Sequence, residues 1–156
     1  MKTHPEKNRR GAVAVEFAFI APMLLAIVLG LIELTRVYDA QYLLQTAARE
    51  GARFAALDRE GLLNDGETAN SKVMTDVRSF LSSAGIPAED VDVRIMDYEN
   101  PDSAFDLDDP ENDLRLFTVE IEVPFSAISF TPVSETNDYT LLGSITFRNG
   151  QATLAQ

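Results

Sequence analysis

The chain has 156 residues, with 13 Lys and Arg against 25 Asp and Glu, one histidine, no cysteine and no tryptophan, for a formal net charge of −12. That length fits one small domain with an appended helix. The missing cysteines exclude disulfides, thiolate-ligated zinc, thiolate catalysis and a lipoprotein-type anchor, and the lone His4 excludes multi-histidine metal sites and argues against a histidine triad. The acidic balance argues against nucleic acid as a partner.

Charge and apolar residues are segregated along the chain. Residues 1–10 hold Lys2, Lys7, Arg9 and Arg10 against Glu6, a net +3, whereas the remainder nets −15. Between them Gly11 to Ile32 is apolar except for Glu16. As a helix this stretch reaches roughly 33 Å, enough for a hydrocarbon core of about 30 Å, and lipid enforces a helix because unpaired backbone groups find no water there. A buried core helix would need a polar stripe that is missing here. A cleaved secretory signal would need small residues before its cut site, and Glu33-Leu34-Thr35-Arg36-Val37-Tyr38-Asp39 offers no such pair. The expectation is therefore a retained single span over about residues 12–35, with the basic leader, residues 1–11, in the cytoplasm and the acidic remainder outside. Tyr38 and Tyr42 follow at helical spacing and suit the outer interface.

The helix is expected to continue to Leu57. From Glu33 onward this stretch has no proline, its only glycine is Gly51, and good helix formers dominate. Two rows of small residues recur every four positions, Ala47, Gly51, Ala55 and Ala48, Ala52, Ala56, with Leu44 and Phe54 extending the apolar face. Such rows admit close approach of another backbone, either from the chain's own domain or from a neighbouring subunit. Glu33 with Arg36 and Glu50 with Arg53 stand three apart, at ion-pair spacing.

Asp58 to Thr68 reads as a loop. A second helix follows, capped by Asn70 or Ser71, with Val73, Val77, Phe80, Leu81 and Ala84 on its apolar face and Gly85 and Pro87 as stops. Three alternating segments complete the domain. Val91, Val93 and Ile95 share one face. So do Phe117, Val119, Ile121, Val123 and Phe125, and then Tyr139, Leu141, Ile145 and Phe147. This is the pattern of three half-buried antiparallel strands, and Pro124 marks the second as ending there or lying at an edge. The expected fold is α+β: a long N-terminal helix, 12–57, running into an extracytoplasmic domain, 58–150, in which a second helix packs on a three-stranded antiparallel sheet, with a short tail, 151–156.

Glu16 needs a reason to be where it is. A mid-membrane carboxylate costs roughly 3 kcal/mol on insertion scales, less near the cytoplasmic edge. It is either a snorkelling acid or one half of a pair. A cut after Gly11 would supply the other half, since the new ammonium of Ala12 in one subunit can meet Glu16 of the next and set register between helices. Pro22 cannot donate to the Ala18 carbonyl and should loosen the span locally.

Arg10-Gly11-Ala12-Val13-Ala14-Val15-Glu16-Phe17, then Pro22, then Glu33-Leu34-Thr35-Arg36, then Ala47-Ala48-Arg49-Glu50-Gly51-Ala52-Arg53, together resemble the TadE-like family, pilin-like proteins of tight-adherence (Flp-type, type IVb) pilus systems. The resemblance covers roughly residues 10–56 and rests on a basic leader, a Gly-x4-Glu pattern entering an apolar span, and the later charged run. It implies removal of residues 1–11 by a prepilin peptidase at Gly11–Ala12. It also implies a structural role as pseudopilin or minor pilin, and Arg49, Glu50 and Arg53 as family-motif charges. The implied partners are that peptidase, the major pilin, other pseudopilins and the membrane platform with its secretion ATPase. Phe17 stands where some pilins of these systems carry tyrosine and suits the TadE-like branch.

A permanently anchored extracytoplasmic binding domain is the alternative reading, and an enzyme the third, placed last by the missing His and Cys set. No cofactor is expected. Asp106 to Asp113 is rich in oxygen ligands for calcium but lacks the glycine and glutamate of an EF-hand loop, so a solvated acidic loop is expected there.

Overall fold

A computed structural model describes residues 9–57, 63–64, 66–130 and 138–150. The leader through residue 8, most of the expected loop from Asp58, and the tail beyond Gly150 lie outside the described residues. The elements are α1 (Arg9–Ala55), α2 (Ala69–Ser83), β1 (Asp92–Asp97), β2 (Leu116–Pro124) and β3 (Thr140–Arg148), with short 3-10 turns at Ala88–Asp90, Pro110–Asn112 and Phe125–Ala127. The chain divides into two compact units, Met1–Arg36 and Val37–Gln156.

In the first unit α1 stays helical through Pro22. Its large apolar side chains are exposed on every side, from 44 % at Val28 to 79 % at Phe19. Among the described residues it is the one helix long and apolar enough to cross a membrane. The hydroxyl of Thr35 donates to the Leu31 carbonyl at 2.9 Å, so this polar group is satisfied inside the helix and needs no water.

The second unit is the expected α+β domain. The sheet is an antiparallel meander in the order β1-β2-β3. Its register pairs Val93 with Ile121 and Ile95 with Val119 on one side of β2, and Val119 with Ile145 and Phe117 with Phe147 on the other. Because side chains alternate, this register gathers Val93, Ile95, Phe117, Val119, Ile121, Val123 and Leu141 on one buried face. Phe105 stacks on Phe117 with ring centroids 5.6 Å apart and closes one end of the core. β2 ends at Pro124, as expected of a residue that cannot donate to the ladder, and it is the central strand, not an edge.

α2 is only 15 residues long, too short to be stable alone, so it depends on burying Ala69, Val73, Val77 and Leu81. Fully burying a Val or Leu contributes about 1.5–3 kcal/mol. The N-cap is Thr68, not Asn70 or Ser71. Its hydroxyl accepts from the Ser71 N–H while the Ser71 hydroxyl accepts from the Thr68 N–H, a reciprocal capping box. At the other end Gly85 has φ +94. The Ile86 N–H reaches the Leu81 carbonyl at 3.0 Å and the Gly85 N–H reaches Ser82 at 3.1 Å, so the expected left-handed stop is a Schellman turn with Ile86 buried behind it. Three expected core positions differ. Phe80 is 38 % exposed and Ala84 is exposed, both rotated off the buried stripe. Tyr139 precedes β3, is half exposed and stacks on Phe125 at 4.6 Å.

α1 enters this core through its small residues. Ala47, Ala48, Gly51, Ala52 and Ala55 are all buried. A Cβ on Gly51 would stand 2.9 Å from Val77 Cγ2 and 3.3 Å from Val73 Cγ1, and one on Gly143 of β3 would stand 2.7 Å from the backbone carbonyl carbon of Leu44. The two glycines should answer differently to a methyl. In Gly51→Ala the gain of about 1 kcal/mol in helix propensity offsets much of the side-chain clash, whereas Gly143→Ala meets backbone with no such gain. Denaturant unfolding of the full chain in detergent should therefore give at most about 1 kcal/mol of loss for Gly51→Ala and about 2 kcal/mol or more for Gly143→Ala. Equal losses would show that α1 and β3 are not in backbone contact.

Candidate assembly surface

The sequence points to two regions, one in each unit. In the first, Gly11, Ala12 and Glu16 are exposed on α1, and Pro22 lies in the same apolar stretch. A Cβ on Gly11 would meet nothing within 4 Å, so its small size serves no packing need of the folded chain. Among the described residues Glu16 makes no hydrogen bond or ion pair. In hydrocarbon such a group is expensive and takes a partner wherever one can reach it.

In the second unit the motif run divides by helical phase. Ala47, Ala48, Gly51 and Ala52 are buried against the chain's own α2 and sheet. The opposite side of the helix carries Tyr38, Tyr42, Gln45, Arg49 and Arg53, which at 3.6 residues per turn fall within about 80° of one another. All five are exposed, Tyr38 by 67 % and Tyr42 by 72 %. Arg53 pairs with Glu50 at 2.9 Å, as its spacing suggests, but both side chains are more than half exposed and such a pair contributes at most about 1 kcal/mol. Among the described residues Arg49 makes no ion pair.

The acidic loop is spent on the fold. Asp108 Oδ2 accepts from the Ala69 N–H at 2.7 Å, placing a carboxylate on the N-terminus of α2. Asp106 accepts from the Asp108 N–H at 3.0 Å, and Asp109 from the Glu111 N–H at 2.9 Å. Asn70 locks the loop from the helix side, donating to the Phe105 carbonyl at 2.7 Å and accepting from the Leu107 N–H at 2.9 Å. Fully buried Asn149, just past β3, donates to the Leu107 and Asn112 carbonyls at 3.2 and 3.3 Å. Asp113 Oδ1 is buried without a hydrogen-bond partner. No group of three or more metal-ligating side chains occurs among the described residues. The carboxylates of Asp106, Asp108 and Asp109 already hold backbone N–H groups.

Between α1 and α2 lies an apolar groove of about 290 Å³, walled by Gly51, Phe54, Leu57, Val77 and Phe80. Glu50, Arg53 and Asp76 also line it. Beside it Lys72 donates to Asp76 at 2.6 Å, and that hydrogen bond, with the carboxylate's charge, raises the Lys72 pKa above its ordinary value. The pair's small contribution is thus present at neutral pH and lost only as the pH rises through that raised pKa.

The sequence carried no signal for Thr68, Asp108, Asn149 or the groove. Asp108 and the N–H it caps are 39 residues apart, and Phe80 fits the apolar period of α2 while lying at its margin.

The model of the TadE-like protein family matches residues 11–53 of the chain. No curated protein matches, and neither does any solved structure. The matched segment runs from Gly11 at one end of the apolar stretch to Arg53 at the end of the charged run. Within it Ala47, Ala48, Gly51 and Ala52 have a packing role that the fold accounts for, and Arg49 has none. Arg49→Ala should therefore change stability by less than about 0.5 kcal/mol, while Ala52→Leu, which overfills a closed contact, should cost about 1–3 kcal/mol or unfold the domain. Unfolding midpoints of the two full-length variants in detergent test this. A large loss for Arg49→Ala would make it a structural residue.

Proposed function

We propose that the chain is a pilin-like subunit, a pseudopilin or minor pilin, acting in assembly of a tight-adherence (Flp-type) pilus. In this reading α1 anchors it in the cytoplasmic membrane with the basic leader inside and the acidic α+β domain outside, and a prepilin peptidase removes residues 1–11. Its role is structural, not catalytic. Its associates are the major pilin and other pseudopilins, the membrane platform and the bilayer. The observation that carries the reading is Glu16: a carboxylate without a partner among the described residues, five residues after Gly11 in an all-round apolar helix, inside the segment that matches the TadE-like family model.

The chemistry follows from that carboxylate. Hydrolysis after Gly11 gives Ala12 a free ammonium at the depth of Glu16. The ammonium of one subunit then neutralises Glu16 of the next, and in low dielectric the pair fixes how far one helix slides past another. Pro22, with no N–H to donate, softens the helix where it leaves or enters lipid.

Gly11→Ala adds a methyl to open space, so failure to process this variant cannot be ascribed to misfolding. N-terminal sequencing of the protein from native membranes should find Ala12 first in the wild type and an uncut chain in Gly11→Ala. A wild-type chain still starting near Met1 counts against the pseudopilin reading.

Glu16→Ala should insert and fold normally yet lose most of its cross-linking to the major pilin, with Glu16→Asp intermediate. Unchanged cross-linking removes the register role. An anchored binding domain without a pilus role would keep its function in both the Gly11 and the Glu16 variants.

A further inference from the structure

On the solvent side of α1 in the second unit Asp39 and Glu50 are exposed beside Arg49 and Arg53, and it is the strip around Arg49 that is opposite in charge to the outer face of the sheet. On the sheet, Glu120 and Glu122 stand on the same side of β2, opposite Arg94 and Asp92 of β1. Arg94 Nη2 lies 2.8 Å from Glu120 and contacts Glu122 directly, and its Nε lies 3.7 Å from Asp92. Three carboxylates thus share one guanidinium, which leaves two negative charges in excess at a partly exposed strand surface, where the Glu120 and Glu122 side chains are 19 % and 32 % exposed. Across β2 they are flanked by uncharged Ser144 and Leu142, opposite Glu120 and Glu122, so β3 supplies no further cation there.

The α1 face offers what this cluster lacks. Arg49 is exposed and without an ion pair among the described residues, Arg53 shares only a surface pair with Glu50, and Tyr38 and Tyr42 continue the same stripe with large exposed rings. Two exposed Tyr rings and an exposed Arg49 without an ion pair among the described residues have the composition of interface anchors.

We propose that the Tyr38–Tyr42–Arg49–Arg53 face of one copy docks on the outer sheet face of a second copy, with Arg49 entering the Glu120–Glu122 cluster. The two patches are different surfaces of one chain, so the contact is head-to-tail and repeats from copy to copy, into a ring or an open row according to the rotation it imposes. It deepens the assembly reading by naming a contact between neighbours, and it rests on that reading only in needing neighbours to be present. Cleavage at Gly11 plays no part in it.

The chain has no cysteine, so single cysteines can be placed cleanly. Gln45→Cys lies one turn from Arg49 on the stripe, Ser144→Cys lies across from Glu120, and both positions are exposed. The two full-length variants, carrying different tags, are co-expressed in membranes and treated with a short bismaleimide. The expected result is a mixed cross-linked dimer, with either variant alone giving little product. Adding Arg49→Glu to the Gln45→Cys chain should lower the mixed yield about tenfold, as a like-charge contact replaces an attractive one, while Arg49→Lys should retain most of it. Absence of the mixed product overturns the proposal. So does a Gln45→Cys chain that cross-links equally well to itself, which means helix meets helix, or a mixed yield indifferent to Arg49→Glu. If the mixed product forms while the wild-type chain remains uncut at Gly11, the contact stands and the pseudopilin reading fails.

Discussion

At Gly143 there is no room for a side chain between β3 and the backbone of α1 at Leu44, and much of the domain's design follows from that closeness. Apart from Leu44, whose backbone Gly143 meets, the side chains that α1 buries fully against the sheet and α2 are small. The same limit accounts for Ala47, Ala48, Ala52 and Ala55 being almost wholly enclosed, and for Gly51 where Val73 and Val77 press in. Much of the apolar volume is then supplied by the partners, the Val, Ile and Phe residues of the strands and Val73, Val77 and Leu81 of α2, with Leu44 the one large side chain that α1 buries fully.

α1 therefore obeys two rules along its length. Up to Ile32 its side chains are large and apolar on all sides, which suits a surrounding of lipid or other apolar helices and no particular neighbour. From Ala40 to Ala55 it is one-sided, with small residues buried and Tyr, Gln and Arg facing out. Glu16 breaks the first rule, and nothing among the described residues pairs with it. Arg49 is the polar side of the second, and the fold does not use it. In both stretches the residue that the described packing does not use is charged.

Much of this could be read from the sequence because its signals are local and periodic. Strand alternation placed Val93, Ile95, Val119 and Ile121 on the buried face, and the glycine before Ile86 marked the end of α2. What escaped depends on contacts between distant parts of the chain. The Asp108 carboxylate on the N-terminus of α2 and the Asn149 side chain on the acidic loop join residues 37 to 42 positions apart, so no window along the sequence contains both partners. The loop had the composition of an ion site, yet its oxygens accept from backbone N–H groups. Phe80 and Tyr139 carry the right period, but period gives direction and not depth, and both lie where the core meets solvent. The small-residue rows fitted packing within the domain or between subunits. The distances at Gly51 and Gly143 give them a role within the domain, which leaves the opposite face as the one with work still unassigned.

The charge balance bears on how copies of such a chain can associate. With a net of −15 beyond residue 10, two domains repel at long range, and salt shortens that repulsion to about 8–10 Å. Attraction has to be short-range and directional, and a lone guanidinium facing an under-neutralised carboxylate cluster is of that kind. One such contact is weak in free solution, where translational freedom opposes it. A span that confines both copies to the same bilayer removes much of that freedom and raises their effective concentration. Weak lateral contacts then suffice while the helices remain in a common layer, and they lapse when a copy leaves it. In the proposed assembly, an acidic domain on an all-round apolar helix ignores its neighbours in solution and responds to them when held side by side.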